Sequence, residues 1–241
     1  MKPIVFVGPS LHSVSRARFD MLDFAAPAKC GDIYEAVVKG RRAIGLIDGV
    51  FEDGPAVWHK EILFALSQGV FICGASSMGA LRAAECQTFG MIGIGRIFED
   101  YKKGERNADA DVALLHAPAE LNYLPLTVPQ VDVDFLLTRL EQTQELRPAT
   151  RISLAKSSTS LHFKDRTWRS IAQNAGLAPA DASLLIASIR SLGPGQKTLD
   201  AIELLDLLAC GYPPQVSTVH SGYRETNFVA HLKLRKEIGH G

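Results

Sequence analysis

Apolar residues along the chain follow two patterns, and the change between them falls near residue 117. Before it, short apolar runs ending in glycine alternate with stretches of helical spacing. "PIVFVG" near the N-terminus, "AIGLIDG" and "VFICG" each read as a buried strand. A helical stretch near 31 to 39, "GDIYEAVVKG", precedes the second of these runs. "AVWHKEILFALSQG" has apolar positions at Val57, Ile62, Phe64, Ala65 and Leu66 and stops at Gly69, as a helix with a glycine stop does. "SMGALRAAECQTFG" reads as the helix after the third strand. The alternation predicts an α/β fold: a parallel sheet flanked by helices. After it, Pro118, Pro125 and Pro129 punctuate a connector, and "DVDFLLTRLEQTQEL", "RTWRSIAQNAGL", "ADASLLIASIRSL" and "TLDAIELLDLLACG" read as packing helices. Apolar stripes such as Leu199, Ile202, Leu205 and Leu208 need a surface to cover, so this C-terminal helical region is expected to pack against the sheet. The division expected is a core over 1–125, the helical region over 126–216 and a polar, basic tail over 217–241, a candidate for partner contact.

Composition narrows the function classes. Lys plus Arg and Asp plus Glu balance at 26 each, so no global field draws the chain to nucleic acid or anionic lipid. No stretch reaches the roughly 20 apolar residues of a membrane span. The N-terminus reads as a first strand and not as a signal peptide. Cys30, Cys73, Cys86 and Cys210 show no CxxC spacing. Neither a zinc site nor a disulfide framework is expected, and a reducing cytoplasm fits. No metal or cofactor is called for. A buried strand cysteine is the bland reading of Cys73, and a sulfur relay the sharp one.

Chemistry collects where strands end in a parallel sheet, because strand ends and the helix starts after them share one edge. The first strand end supplies Ser10 and the second Asp48. The third supplies "GASSMG", with Gly74, Ser76, Ser77 and Met78. "ASSMG" approximates the G-x-S-x-G elbow, centred on Ser77, with Ala75 at the first position and Gly79 at the last. There the serine is a candidate nucleophile and the Met78 N–H a candidate oxyanion donor; a plain helix N-cap serine is the competing reading. "GPS" and "GASSMGA" also offer N–H groups to an anion, but neither G-x-G-x-x-G nor G-x-x-x-x-G-K-[ST] occurs at these edges. Lys60 and His59 stand in the first turn of the helix after the second strand, where the helix field and burial would lower a lysine pKa and suit it to act as a base. A solvated Lys60 paired with Glu61 or Glu52 is the alternative. Arg82 and Glu85, three apart, are read as an ion pair before a substrate contact.

The segments "HKEI" at 59 to 62, "GASSMGALRAAE" at 74 to 85, "FGMIGIGRIFEDY" at 89 to 101 and "DVALLHAP" at 111 to 118 together resemble the TfuA-like family, as do "GPSL" at 8 to 11 and "RTW" at 166 to 168. The resemblance implies a partner of YcaO enzymes, which use ATP to activate a peptide amide and replace its oxygen with sulfur. It implies a hydrolase that cleaves the C-terminal thiocarboxylate of a ThiS-type ubiquitin-like carrier, using a Ser-Lys pair that falls here on Ser77 and Lys60. Gly74, Ser76, Met78, Ser10, His59, Asp48 and Arg82 then form the candidate oxyanion and substrate-binding set. The expected partners are the YcaO enzyme, the carrier and, through YcaO, the peptide to be thioamidated. A non-catalytic adaptor that strengthens the YcaO grip on its peptide and a nucleotide-binding regulator are the alternatives.

Overall fold

Five short strands built from the apolar runs pair side by side, all parallel, in a computed structural model that describes residues 1–52 and 54–212. Asp53 and the 217–241 tail lie outside the described residues. The strands are β1 (Ile4–Phe6), β2 (Asp23–Ala25), β3 (Ala43–Leu46), β4 (Phe71–Ala75) and β5 (Ile92–Ile94), in the order β2-β1-β3-β4-β5. The helices α1 (Asp32–Val38), α2 (His59–Ser67), α3 (Met78–Cys86) and α4 (Gly95–Lys102) follow β2, β3, β4 and β5 in turn. After the connector come α5 (Gln130–Gln142), α6 (Pro148–Ser160), α7 (Trp168–Asn174), α8 (Pro179–Ser191) and α9 (Gln196–Cys210). The α/β fold and the C-terminal helices agree with the reading of the sequence.

Side-chain alternation along the strands splits the core in two. Ile44, Leu46 and Ile72 face Ile33, Ile62, Leu66 and Leu81, so α1, α2 and α3 cover one face. Val5, Val7, Phe71, Cys73 and Ala75 face the other, and α9 covers it with Ala201, Leu204, Leu205 and Leu208. The stripe is thus shifted from the one expected, and Leu199 is exposed. Gly45 explains how closely α9 approaches: a Cβ there would stand 2.8 Å from Leu204 and 2.9 Å from Leu208. Helices α5 to α8 join through a third cluster that includes Leu137, Leu154, Ile171 and Leu185.

Four elements escaped the pattern. β2 and β5 are three-residue edge strands, and β5 has a glycine at its centre, too little for a period-2 signal. α4 opens at Gly95 within the glycine-rich "FGMIGIG", which weakens the helical signal at its start. The residues of α6, "PATRISLAKSSTS", are rich in Ser and Thr, whose side chains compete for backbone groups and weaken the helical signal.

Candidate active site

In this strand order the chain runs outward in both directions from the β1–β3 pair, so the connections diverge at the carboxyl ends of those strands and leave a crevice. Asp48, just past β3, and Ser10, just past β1, meet there. Asp48 Oδ2 accepts the Gly8 and Ser10 N–H groups at 2.9 and 3.0 Å, and Oδ1 accepts the Ser10 hydroxyl at 2.7 Å. The N–H groups of "GPS" that an anion would need are therefore taken by a carboxylate of the chain itself.

Next along the edge, β4 turns sharply into α3. The Ser77 N–H donates to the Ala75 carbonyl at 2.8 Å across Ser76, whose φ is +67°. That is a γ-turn of the strained, positive-φ kind. The strained residue is Ser76, one position before the expected centre of the elbow. Its side chain is buried and donates to Ser10 Oγ at 3.0 Å, while Ser77 lines the cleft. Gly79 lets α3 approach β3, since a Cβ there would collide with the Leu46 carbonyl; Gly74 would collide likewise with the Gly79 carbonyl. The Gly79 N–H donates to Ile47 O and the Ala80 N–H to Ser77 O, leaving the Met78 N–H, among the described residues, without an acceptor at the start of α3.

The lysine that meets Ser77 is Lys197, not Lys60. Lys197 Nζ lies 3.0 Å from Ser77 Oγ, donates to the Val112 carbonyl at 2.7 Å and stands 4.0 Å from Asp48 Oδ1. It is the second residue of α9 and is 2% exposed. Burial lowers its pKa from the ordinary lysine value, against the opposing pull of Asp48 and Asp132. Asp132, on α5, caps α9 by accepting the Lys197 backbone N–H at 2.9 Å, and burial raises its own pKa. Asp200, one turn further along α9, accepts the Arg96 and Ile97 N–H groups that open α4, and burial lifts its pKa to about 6. Gly95, with φ of +87°, makes room for that carboxylate. The "FGMIGIGR" segment therefore anchors α9, and the anchor is three residues from Lys197.

Lys60 is exposed, with its ammonium 6.0 Å from the centre of the Trp58 ring. His59 Nε2 is 2.7 Å from Glu85, and Arg82 bonds Glu85 at 2.6 Å and the Val57 carbonyl at 2.8 Å. None of the three lines the cleft that holds Ser77. Cys73 is fully buried on the α9 side of the sheet, and burial pushes its thiol far up, so it carries no thiolate. No group of His, Cys, Asp and Glu among the described residues is arranged to hold a metal ion.

Sequence reading misses Lys197 because the apolar pattern starts the helix at Thr198, two residues after its actual start at Gln196. The available signal was "GPGQK", a Gly-Pro-Gly turn running into a polar first turn ahead of an apolar stripe. The cleft has a volume of about 390 Å³, with Ser77, Asp48 and Lys197 in its wall. Residues 112–116 of the "DVALLHAP" segment, Gly49 to Glu52, Tyr123 and Phe163 also line it. A smaller cavity of about 160 Å³, lined by Ser10, Thr127, Asp132 and Trp168, also includes Lys197 in its wall.

Among the described residues no helix is long and apolar enough to cross a membrane. A comparison with curated proteins returned no match. A family model described as TfuA-like protein matches residues 48–167, a span that holds Asp48, Ser76, Ser77 and Val112 and stops short of Lys197. On that match the chain belongs to the TfuA-like family, and its role lies in the YcaO-associated thioamidation context of that family.

Proposed function

We propose that the protein is a hydrolase whose nucleophile is Ser77 and whose general base is Lys197, acting on the C-terminal thiocarboxylate of a ThiS-type sulfur carrier and releasing sulfide for a YcaO partner. The observation that carries this reading is the 3.0 Å separation of Lys197 Nζ and Ser77 Oγ in the wall of a cleft, with the amine buried and its pKa lowered. An amine that is neutral near pH 7 to 8 accepts a hydroxyl proton; an ordinary lysine is ionised there and does not.

The chemistry balances as follows. Lys197 takes the Ser77 proton as Oγ attacks the thiocarboxylate carbon, and the negative charge builds on the oxygen of the tetrahedral intermediate. The Met78 N–H is the candidate donor to that oxygen, a contact typically worth about 3 kcal/mol of barrier. The C–S bond then breaks, the Lys197 ammonium returns its proton to the sulfur, and hydrosulfide leaves. Water, deprotonated by the same amine, cleaves the acyl-serine to give the carrier carboxylate and free Ser77. The cleft, with Gly49 and residues 112–115 in its wall, offers space for a narrow, flexible chain terminus.

The test is sulfide release from a thiocarboxylated carrier by wild type, Ser77→Ala and Lys197→Met. Loss of release in both variants with retained folding supports the dyad. Undiminished release in Ser77→Ala ends it. A wild type that releases no sulfide but tightens YcaO binding of its peptide would make the protein an adaptor.

A further inference from the structure

Asp48 is placed too far from Lys197 for a hydrogen bond and too close for its charge to be ignored. At 4.0 Å the two groups interact mainly through space. Both carboxylate oxygens are already engaged, by the Gly8 N–H, the Ser10 N–H and the Ser10 hydroxyl, and in all three contacts Asp48 acts as an acceptor. Ser10 is in turn bonded by Ser76 from the strained turn, so the carboxylate is tied to β1, β3 and the β4–α3 turn together. The side chain is 3% exposed. Lys197 meanwhile spends its short contacts on Ser77 Oγ and the Val112 carbonyl.

We propose that Asp48 is the fixed counter-charge of the Ser77–Lys197 pair: a positioning residue that touches no reacting atom and stabilises the ammonium formed when Lys197 takes the Ser77 proton. This rests on the Ser-Lys reading above. A buried lysine base has a specific difficulty. The burial that keeps it neutral also penalises the ammonium that the reaction must form. An anion held rigidly nearby reduces that penalty without bonding the amine and pulling it away from Ser77. Direct contact would form a salt bridge and leave the amine protonated at rest; the donors from Gly8 and Ser10 hold the carboxylate back from it. The other charged group packed on Lys197 is Asp132 of α5, which is committed to the backbone N–H of the same residue. The remaining ionisable groups of the cleft are Lys29, Glu52, His116, Tyr123 and Lys164, with Glu52 and Lys164 paired at 2.6 Å.

The test reads the dyad without the carrier. The full chain is labelled at Ser77 by an alkyl fluorophosphonate, the labelling rate is followed by intact mass across the pH range, and the midpoint of its rise with pH is compared among variants. Asp48→Asn removes the charge and keeps the shape, and is expected to lower the midpoint by about 1 to 3 pH units. Ser10→Ala keeps the charge and strips the donor from Oδ1, so it is expected to raise the midpoint; this variant also decides the matter if Asp48→Asn does not fold. Asp132→Asn is expected to lower the midpoint less than Asp48→Asn. An unmoved midpoint in Asp48→Asn, or a fall in Ser10→Ala matching it, would overturn the counter-charge role and leave the dyad standing. Labelling of Ser77 that is indifferent to Lys197→Met would sink the dyad, and Asp48's role with it.

Discussion

The first turns of α2 and α9 each carry a lysine at the second helical position, and the two turns resolve it in opposite ways. In α2 the helix N-terminus is satisfied by its own Glu61, which is fully buried and accepts the Trp58 and Gly31 N–H groups at 3.1 and 2.8 Å. Lys60 beside it points to solvent over Trp58. In α9 the cap comes from elsewhere, Asp132 of α5, and Lys197 is pressed inward between Ser77, Val112 and Asp48. The same helical position thus leaves one lysine in solvent and buries the other, and burial depends on what packs over the turn. At Lys197 it is desolvation that lowers the pKa.

The sharpest way to break this contrast is to exchange the two lysines' importance. Lys197→Met is expected to cut kcat/KM for sulfide release by about a thousandfold, the scale of a lost general base, while Lys60→Ala stays within about threefold. Steady-state assays on folded variants decide it, and comparable losses in the two would erase the distinction. The pH dependence of stability reports on Lys197. Lys197 has a folded pKa below its unfolded one, so the unfolded chain binds more protons between the two values and native stability rises with pH across that window. Lys197→Met should remove that rise and be neutral or stabilising near pH 7, as measured by denaturant unfolding. A Lys197→Met protein less stable than wild type at neutral pH would mean that the lysine is charged and structural.

Asp200 tests how α9 is anchored. Its pKa is raised from 3.8 to about 6, so its contribution is fully present below about pH 4 and is lost as pH rises through 6. The loss expected is about 3 kcal/mol, which Asp200→Asn should flatten in unfolding curves taken across pH 4 to 7. Removing the α9 cap with Asp132→Ala is expected to cost about 1 to 2 kcal/mol and to lower kcat more than KM, since it loosens the turn that aims Lys197. His59→Ala breaks only an exposed pair with Glu85, and thermal melts and activity should move by less than about 1 kcal/mol.

Local pattern determined a good deal. Apolar runs marked β1, β3 and β4, and three-to-four spacing marked α2, α3, α5 and α9. The small residues of "GASSMG" placed Ser77 at a strand-to-helix turn, because glycine at 74 and 79 is what close backbone approach demands. Sequence reading looks for a first-turn helical lysine near Ser77, and the structure puts one 3.0 Å from it, on a different helix. That reading settles on Lys60 because α2 follows β3 directly, whereas α9 follows another helix and has no strand before it to place it at the sheet edge. The edge strands, each stabilised by a single neighbour, and the serine-rich α6 left too weak a local signal to read.

Only the tertiary structure decided which lysine meets Ser77. Residue 197 is 120 positions away along the chain from residue 77. It arrives because Leu204, Leu205 and Leu208 seat α9 on the open face of the sheet, Gly45 lets it sit close, and Asp132 and Asp200 tie its first turns to α5 and α4. A sequence displays spacing along one element, whereas a base and its nucleophile are matched by burial and distance between elements. Those are set by how helices pack, so the site could be half named from its turn and completed only by its fold.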